Sequence, residues 1–162
     1  MNKTDLLRLI IEQLSQDLGV QFNAALAAHE ASTHEENIPD NKYETLALEA
    51  SYVAQGQANR AQEIRRALET YKQLSLQHYD DHSAIGLTAL VTLAGEDDTS
   101  RTFFIGPLEG GMKLVDNLPG MEIVVITPAS PLGRDLIGRG VGDPVRLRVG
   151  TSVKEFEIAR IC

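Results

Sequence analysis

Pro39 is the first proline of the chain, and it falls in a short acidic stretch between two long segments suited to helix. The stretch runs His34-Glu-Glu-Asn-Ile-Pro-Asp-Asn-Lys-Tyr-Glu44. Proline has no N–H to donate and pushes the residue before it, Ile38, out of the helical region. A helix entering this stretch must therefore stop, and another can start just after it. Upstream, apolar residues recur at Leu7, Ile10 or Ile11, Leu14, Leu18, Phe22, Ala25, Leu26 and Ala28, and the only glycine is Gly19. Downstream, the stripe is Leu46, Ala50, Val53 or Ala54, Ala61, Ile64, Leu68, Tyr71 and Leu74. Spacings of three and four place each set on one helix face. The pattern predicts helices from Thr4 to about Thr33 and from about Asn41 to Gln77, with Thr4 as the first N-cap. Two such helices joined by a short bend pack antiparallel. Alanines on both sides of the bend allow the helices to approach closely there.

The bend collects four carboxylates, Glu35, Glu36, Asp40 and Glu44. Capping chemistry accounts for part of this set. Asp40 or Asn41 can cap the second helix, and Glu44 in its first turn favours the positive end of the helix dipole. His29 and His34 are five residues apart, which turns their imidazoles roughly 140° from each other on a helix. They do not form a two-histidine zinc face.

After Gln77 the pattern changes. His78 to Ser83 is expected to be a linker. Runs rich in β-branched and apolar residues follow at 87–94, 101–105, 121–127, 145–149 and 153–161. The continuous run Ile123-Val-Val-Ile suits an interior strand. The alternation Val145-Arg-Leu-Arg-Val suits a strand with one wet face. Glu96-Asp-Asp-Thr and Glu109-Gly-Gly-Met are expected turns. Between strands lies Ser130-Pro-Leu-Gly-Arg-Asp-Leu-Ile-Gly138. It combines an N-cap serine, a first-turn proline, an apolar face of Leu132, Leu136 and Ile137, and a terminating glycine. From its physics alone this is a short helical cross-piece on a small sheet. The fold class is α+β: an antiparallel helical hairpin over 1–78 with its acidic tip near 34–44, then a small β-rich domain with one short helix over 84–162.

The charge narrows the partners. The net charge is −8, with 7 Lys/Arg against 11 Asp/Glu in residues 1–79 and 8 against 12 in residues 80–162. No basic cluster is available to neutralise a duplex backbone, so direct duplex DNA binding is not expected. Arg60, Arg65 and Arg66 are expected on a solvated helix face. The single cysteine, Cys162, has no internal partner. Without a leader-like segment or a long apolar run, a cytoplasmic protein off the membrane is expected.

The segment Ser130 to Gly138, followed by Val141-Gly-Asp and Glu155-Phe-Glu-Ile, resembles the C-terminal domain of the bacterial Gre (GreA/GreB) transcription elongation factors. The resemblance covers about residues 84–161 and implies an FKBP-like domain there. The first half resembles the Gre coiled-coil hairpin in length and architecture, with Tyr43-Glu44 and Gln55-Gly56 as local matches. In that family the hairpin enters the secondary channel of RNA polymerase, and an Asp and a Glu at its tip help hold a Mg²⁺ ion that supports cleavage of backtracked transcripts. The resemblance implies a polymerase partner, engaged through its secondary channel and the coiled coil at the rim. It implies indirect contact with the RNA 3′ end and no stand-alone enzymatic activity. Ser130, Pro131 and Leu132 would dock on the rim. Asp40 and Glu44 would be the catalytic carboxylates, with Glu35, Glu36 and Asn41 as accessory tip residues. The chain alone would hold no cofactor, because the Mg²⁺ is shared only inside the polymerase complex. Counting back from Gln55-Gly56, the family's Glu falls on Glu44 and its Asp on Asn41, with Asp40 adjacent. The alternative reading is therefore a channel-binding regulator that does not stimulate cleavage. Peptidyl-prolyl isomerase activity, suggested by the FKBP-like fold, is disfavoured because only Phe103, Phe104 and Phe156 supply phenylalanine in the second half.

Overall fold

The computed structural model describes residues 2–33, 41–115 and 120–162; for 32–33 and 41–50 only the helical backbone is described. Two long helices, α1 (Lys3–Thr33) and α2 (Asn41–Lys72), precede six strands and a short third helix. The strands are β1 (Leu90–Gly95), β2 (Ser100–Ile105), β3 (Lys113–Val115), β4 (Glu122–Ile126), β5 (Pro144–Val149) and β6 (Ser152–Ile161), with α3 (Pro131–Leu136) between β4 and β5. The chain divides into two compact units. One is Arg8–Lys72, and the other joins Met1–Leu7 to Gln73–Cys162.

In the helical unit, Ile10 and Leu14 of α1 and Ile64, Ala67, Leu68 and Tyr71 of α2 are buried. All of these but Ala67 belong to the predicted inward stripe. Further along, small or polar residues carry it: Gln21, Ala24, Ala25 and Ala28 on α1 and Ala54, Gln57 and Ala61 on α2 are half-buried. The larger apolar residues drift off the stripe. Phe22 and Leu26, expected inside, are 56% and 49% exposed, and Val53 is 54% exposed while its neighbour Ala54 turns inward. A helix turns 100° per residue, so a stripe that starts at Ile10 and Leu14 reaches Gln21 and Ala25 and leaves Phe22 and Leu26 to one side.

Both outer ends of the helices differ from expectation. The first cap is Asn2 rather than Thr4: the Asp5 N–H donates to Asn2 Oδ1 at 2.8 Å, and the Leu6 N–H to the Asn2 carbonyl at 3.1 Å. Asn2 with Asp5 three residues on follows the capping-box spacing. The second helix stops at Lys72, five residues before Gln77. There the backbone is taken by other partners. The Gln77 N–H donates to Thr88 Oγ1 at 2.8 Å, and the Lys3 ammonium donates to the Gln77 carbonyl. The same ammonium donates to the Thr88 carbonyl at 3.2 Å and sits 4.8 Å from the centre of the Tyr79 ring. Burial holds the Lys3 ammonium below its ordinary range, with the charge of Cys162 opposing.

The sheet order is β3-β4-β2-β1-β6-β5, with β2 and β4 parallel and every other pair antiparallel. One face builds the core from Val91, Leu93, Phe103, Ile105, Ile126, Val145, Leu147, Phe156 and Ile158, together with Leu136 of α3. On the opposite face Phe104, Val125, Ile123 and Leu114 are also buried. Burial on both faces is why β4 is continuously apolar. Strand β5 lies at the edge, with Val145 and Leu147 buried and Arg146 and Arg148 in water, as its alternation predicts. Strand β3 was not predicted. Three residues are too few for a period to show. The segment His78 to Ser83 is an ordered turn rather than a plain linker. Asp80 Oδ1 accepts from the His82 N–H at 2.9 Å and from Ser83 Oγ at 2.8 Å. The Ser83 hydrogen bond and then the His82 N–H hold the Asp80 carboxyl below its ordinary value.

Candidate functional site

Two places carry the residues singled out by sequence. Of the acidic bend, Glu35, Glu36 and Asp40 lie outside the described residues, as does His34. Helix α2 starts at Asn41, so Glu44 belongs to its first turn and Asp40 directly precedes it in sequence. The side chains of Asn41 and Glu44 are likewise outside the described set. The donor chemistry of Asp40 and Glu44 suits Mg²⁺, which takes hard oxygens and commonly binds through one or two carboxylates. Among the described residues no three His, Cys, Asp or Glu side chains gather as a metal site.

The Ser130-Pro131-Leu132 segment is fully described. Ser130 has extended backbone angles (φ −67°, ψ 155°) and caps α3. Its Oγ accepts from the Gly133 N–H at 3.1 Å and donates to the Thr127 carbonyl at 2.7 Å. The hydroxyl is thus occupied inside its own turn. Pro131 opens the helix, where a missing N–H costs nothing, and is exposed. Leu132 is half-buried and packs against the core, and Leu136 is buried within it. Ile137, expected on the buried face, is instead 39% exposed at the C-cap. Gly138 follows with φ +84°, the left-handed position expected of a helix-ending glycine. Its N–H donates to the Ile85 carbonyl at 2.9 Å. What this turn offers to the outside is Pro131 with the edge of Leu132, not the serine hydroxyl.

The remaining motif pieces meet in space. The Gly142 N–H donates to the Ile158 carbonyl at 2.8 Å, and the Ile158 N–H returns to the Asp143 carbonyl at 3.0 Å. Asp143 Oδ2 accepts from the Gly140 N–H at 2.9 Å, which closes the loop before β5. Phe156 and Ile158 of the Glu155-Phe-Glu-Ile piece both enter the core beside Leu136. The three sequence fragments therefore form one packed corner: a capped helix, a Gly-Asp turn and the strand that hydrogen-bonds to it.

One feature escaped the sequence reading. A groove of 590 Å³ runs between α1 and α2. Leu18, Phe22 and Leu26 line it from α1 and Ala58 and Ala61 from α2, with Ser15, His29, Gln62 and Arg65 as its polar members. The drift of Phe22 and Leu26 off the inner stripe was the available signal.

No protein-family model matches the chain, and no curated protein matches it. Among solved structures it is similar to GreA factor homolog 1 (Gfh1) of Thermus thermophilus, at 18% identity over 94% of each chain with a TM-score of 0.38. Gfh1 of Thermus aquaticus matches at 18% identity over 95% of this chain and 92% of that one, with a TM-score of 0.39. A GreA/GreB elongation factor from Nitrosomonas europaea matches at 15% identity over 60% of this chain and 77% of that one, with a TM-score of 0.37. Likeness at this level assigns no family. Among the described residues no helix is long and apolar enough to cross a membrane.

Proposed function

We propose that this chain is an RNA polymerase-binding transcription factor of the Gre type. The single observation that carries the reading is the packed corner. Residues that resemble the Gre C-terminal pattern at three separate places, 130–138, 141–143 and 155–158, join through reciprocal hydrogen bonds and a shared core. A chance match to a pattern has no reason to converge in this way. An antiparallel helical hairpin followed along the chain by a β-rich domain is the architecture that such a factor needs. On this reading the β-rich domain, of FKBP-like type, docks on the polymerase rim through Pro131 and Leu132, with Ser130 holding their turn. The hairpin carries the acidic bend into the secondary channel.

Asp40 and Glu44 would hold Mg²⁺ there, with Glu35, Glu36 and Asn41 around them. Held by those carboxylates, such an ion would supply charge neutralisation and water activation for hydrolysis of the backtracked RNA. The chain itself contributes carboxylate oxygens and their position, while the reaction remains the polymerase's own. A second reading is favoured by one residue. Asn41 stands where the resemblance places the family's Asp, and a neutral amide is a weaker Mg²⁺ ligand than a carboxylate. A channel-binding regulator without cleavage activity fits that substitution.

Binding of the purified chain to bacterial core RNA polymerase tests the shared part of both readings. A stable complex that competes with another channel-binding factor is the expected result. Failure to bind the polymerase at any concentration overturns both.

A further inference from the structure

The two helices of the hairpin are not held together evenly. Large apolar side chains close the stem: Ile10 and Leu14 of α1 and Ile64, Leu68 and Tyr71 of α2 are buried. Towards the bend this packing ends. From Ser15 to Ala31 of α1, and from Ser51 to Glu63 of α2, no described residue is buried. The inward positions there fall to alanines and to Gln21 and Gln57, while Phe22, Leu26, Tyr52 and Val53 are about half exposed or more. Closing this part of the hairpin therefore takes little apolar surface out of water. It also carries a polar cost. Gln21 Oε1 is buried and accepts no hydrogen bond, and opening returns it to water.

Each helix also contains one glycine, and both lie in this weak region beside its glutamines. Gly19 is two residues before Gln21, and Gly56 is one residue before Gln57. Gly19 lies 14 residues before Thr33, the end of α1, and Gly56 lies 15 residues after Asn41, the start of α2. In an antiparallel pair the two glycines thus stand at about the same level. Glycine weakens a helix interior through its backbone freedom. Neither glycine is required by space or by backbone angle. No atom lies within 4 Å of where either Cβ would be, and neither has a positive φ.

We propose that this level is a joint: the outer part of the hairpin, bendward of Gly19 and Gly56, opens and closes as a unit of its own on a stem that stays zipped. Such sub-global opening follows regions of sparse apolar packing. On the polymerase reading, on which this consequence alone rests, the channel takes up the closed form, so the open fraction lowers the apparent affinity.

Amide hydrogen exchange of the free full chain, resolved along both helices, tests this. Parted helices of this length unwind without packing, so exchange reports the opening. Protection in 20–31 and 42–55 should fall at least about tenfold below that in 10–16 and 64–71, with the step at the glycines. Gly19→Ala and Gly56→Ala should each raise protection of the outer part about fivefold and leave the stem unchanged. Gln21→Leu, which removes the buried carbonyl and adds an apolar side chain to the seam, should raise it as well. Equal protection in both parts overturns the proposal. A smooth decline from the bend with no step at Gly19 and Gly56 is end fraying and also overturns it. So do alanine variants that leave the outer part unchanged or raise both parts alike. With core RNA polymerase added, the outer part should become protected, and the two alanine variants should bind several-fold tighter. A chain that shows the step but does not bind the polymerase contradicts the polymerase reading and supports the joint.

Discussion

A Cβ added to Gly133 would lie 1.9 Å from the carbonyl oxygen of Thr127. No side chain fits in that space, because the obstacle is backbone rather than a movable tip. The contact exists because Ser130 folds the chain back, taking the Gly133 N–H on its Oγ while donating to the same Thr127 carbonyl. Gly133→Ala is therefore expected to destabilise the β-rich domain by about 1–3 kcal/mol, the usual cost of overpacking. Urea unfolding monitored by circular dichroism would show it as a lower midpoint. An unchanged midpoint would mean that the turn opens at little cost.

Pro131 is the exposed residue of the same turn, at a position where an acidic side chain suits the start of a helix. Pro131→Glu should therefore leave stability within about 0.5 kcal/mol of the parent. It should nonetheless weaken binding to RNA polymerase, because it places a charge on the proposed docking surface. Thermal melts and polymerase binding measured on the same preparation check both halves of this expectation.

Thr88 is buried at 1% exposure with φ +71°, a left-handed angle that β-branched residues rarely adopt. It is held there from both sides. Its Oγ1 takes the Gln77 N–H at 2.8 Å, and its N–H donates to the Ile105 carbonyl at 2.8 Å. Thr88→Val keeps the shape and removes the acceptor. It should cost about 1–2 kcal/mol, since the Gln77 N–H is left without its partner. Chemical denaturation reads the loss directly, and hydrogen exchange at Gln77 should speed up.

Asp80 gives a pH signature. Its carboxyl is held below its ordinary value of 3.8, chiefly by the Ser83 hydroxyl and then by the His82 N–H. A carboxylate whose folded pKa is depressed stabilises the fold above its unfolded value and loses that contribution as pH falls through the folded value. The gap in melting temperature between wild type and Asp80→Asn should thus be constant at neutral pH. It should close as pH drops below about 3.8. A gap independent of pH in the acid range would contradict the assigned hydrogen bonds.

The hairpin was legible because long segments without proline give their period many chances to show, and Pro39 marks the break between them. The corner formed by Ser130, Gly138 and Asp143 was legible because caps and glycine stops carry local signatures. What the sequence hid depends on distant partners. Beyond the end of α2 at Lys72, Gln77 is held by Lys3 and Thr88, which no window around Gln77 contains. The left-handed angle at Thr88 has no residue-type signal, since threonine is a poor choice for it. Phe22 and Leu26 were misplaced because their spacing fits the stripe, whereas their angle around the helix does not. Asp40 and Glu44 were picked out by resemblance and local charge, and their side chains lie outside the described residues.

The most direct test of the central claim is cleavage of labelled RNA in backtracked elongation complexes of bacterial RNA polymerase. Added chain is expected to accelerate release of the 3′ fragment in Mg²⁺. Asp40→Ala and Glu44→Ala should each abolish the acceleration without reducing polymerase binding. Binding without acceleration by wild type, together with acceleration by Asn41→Asp, would replace the cleavage reading with that of a channel-binding regulator. Acceleration that survives both alanine substitutions would contradict the role given to the tip carboxylates.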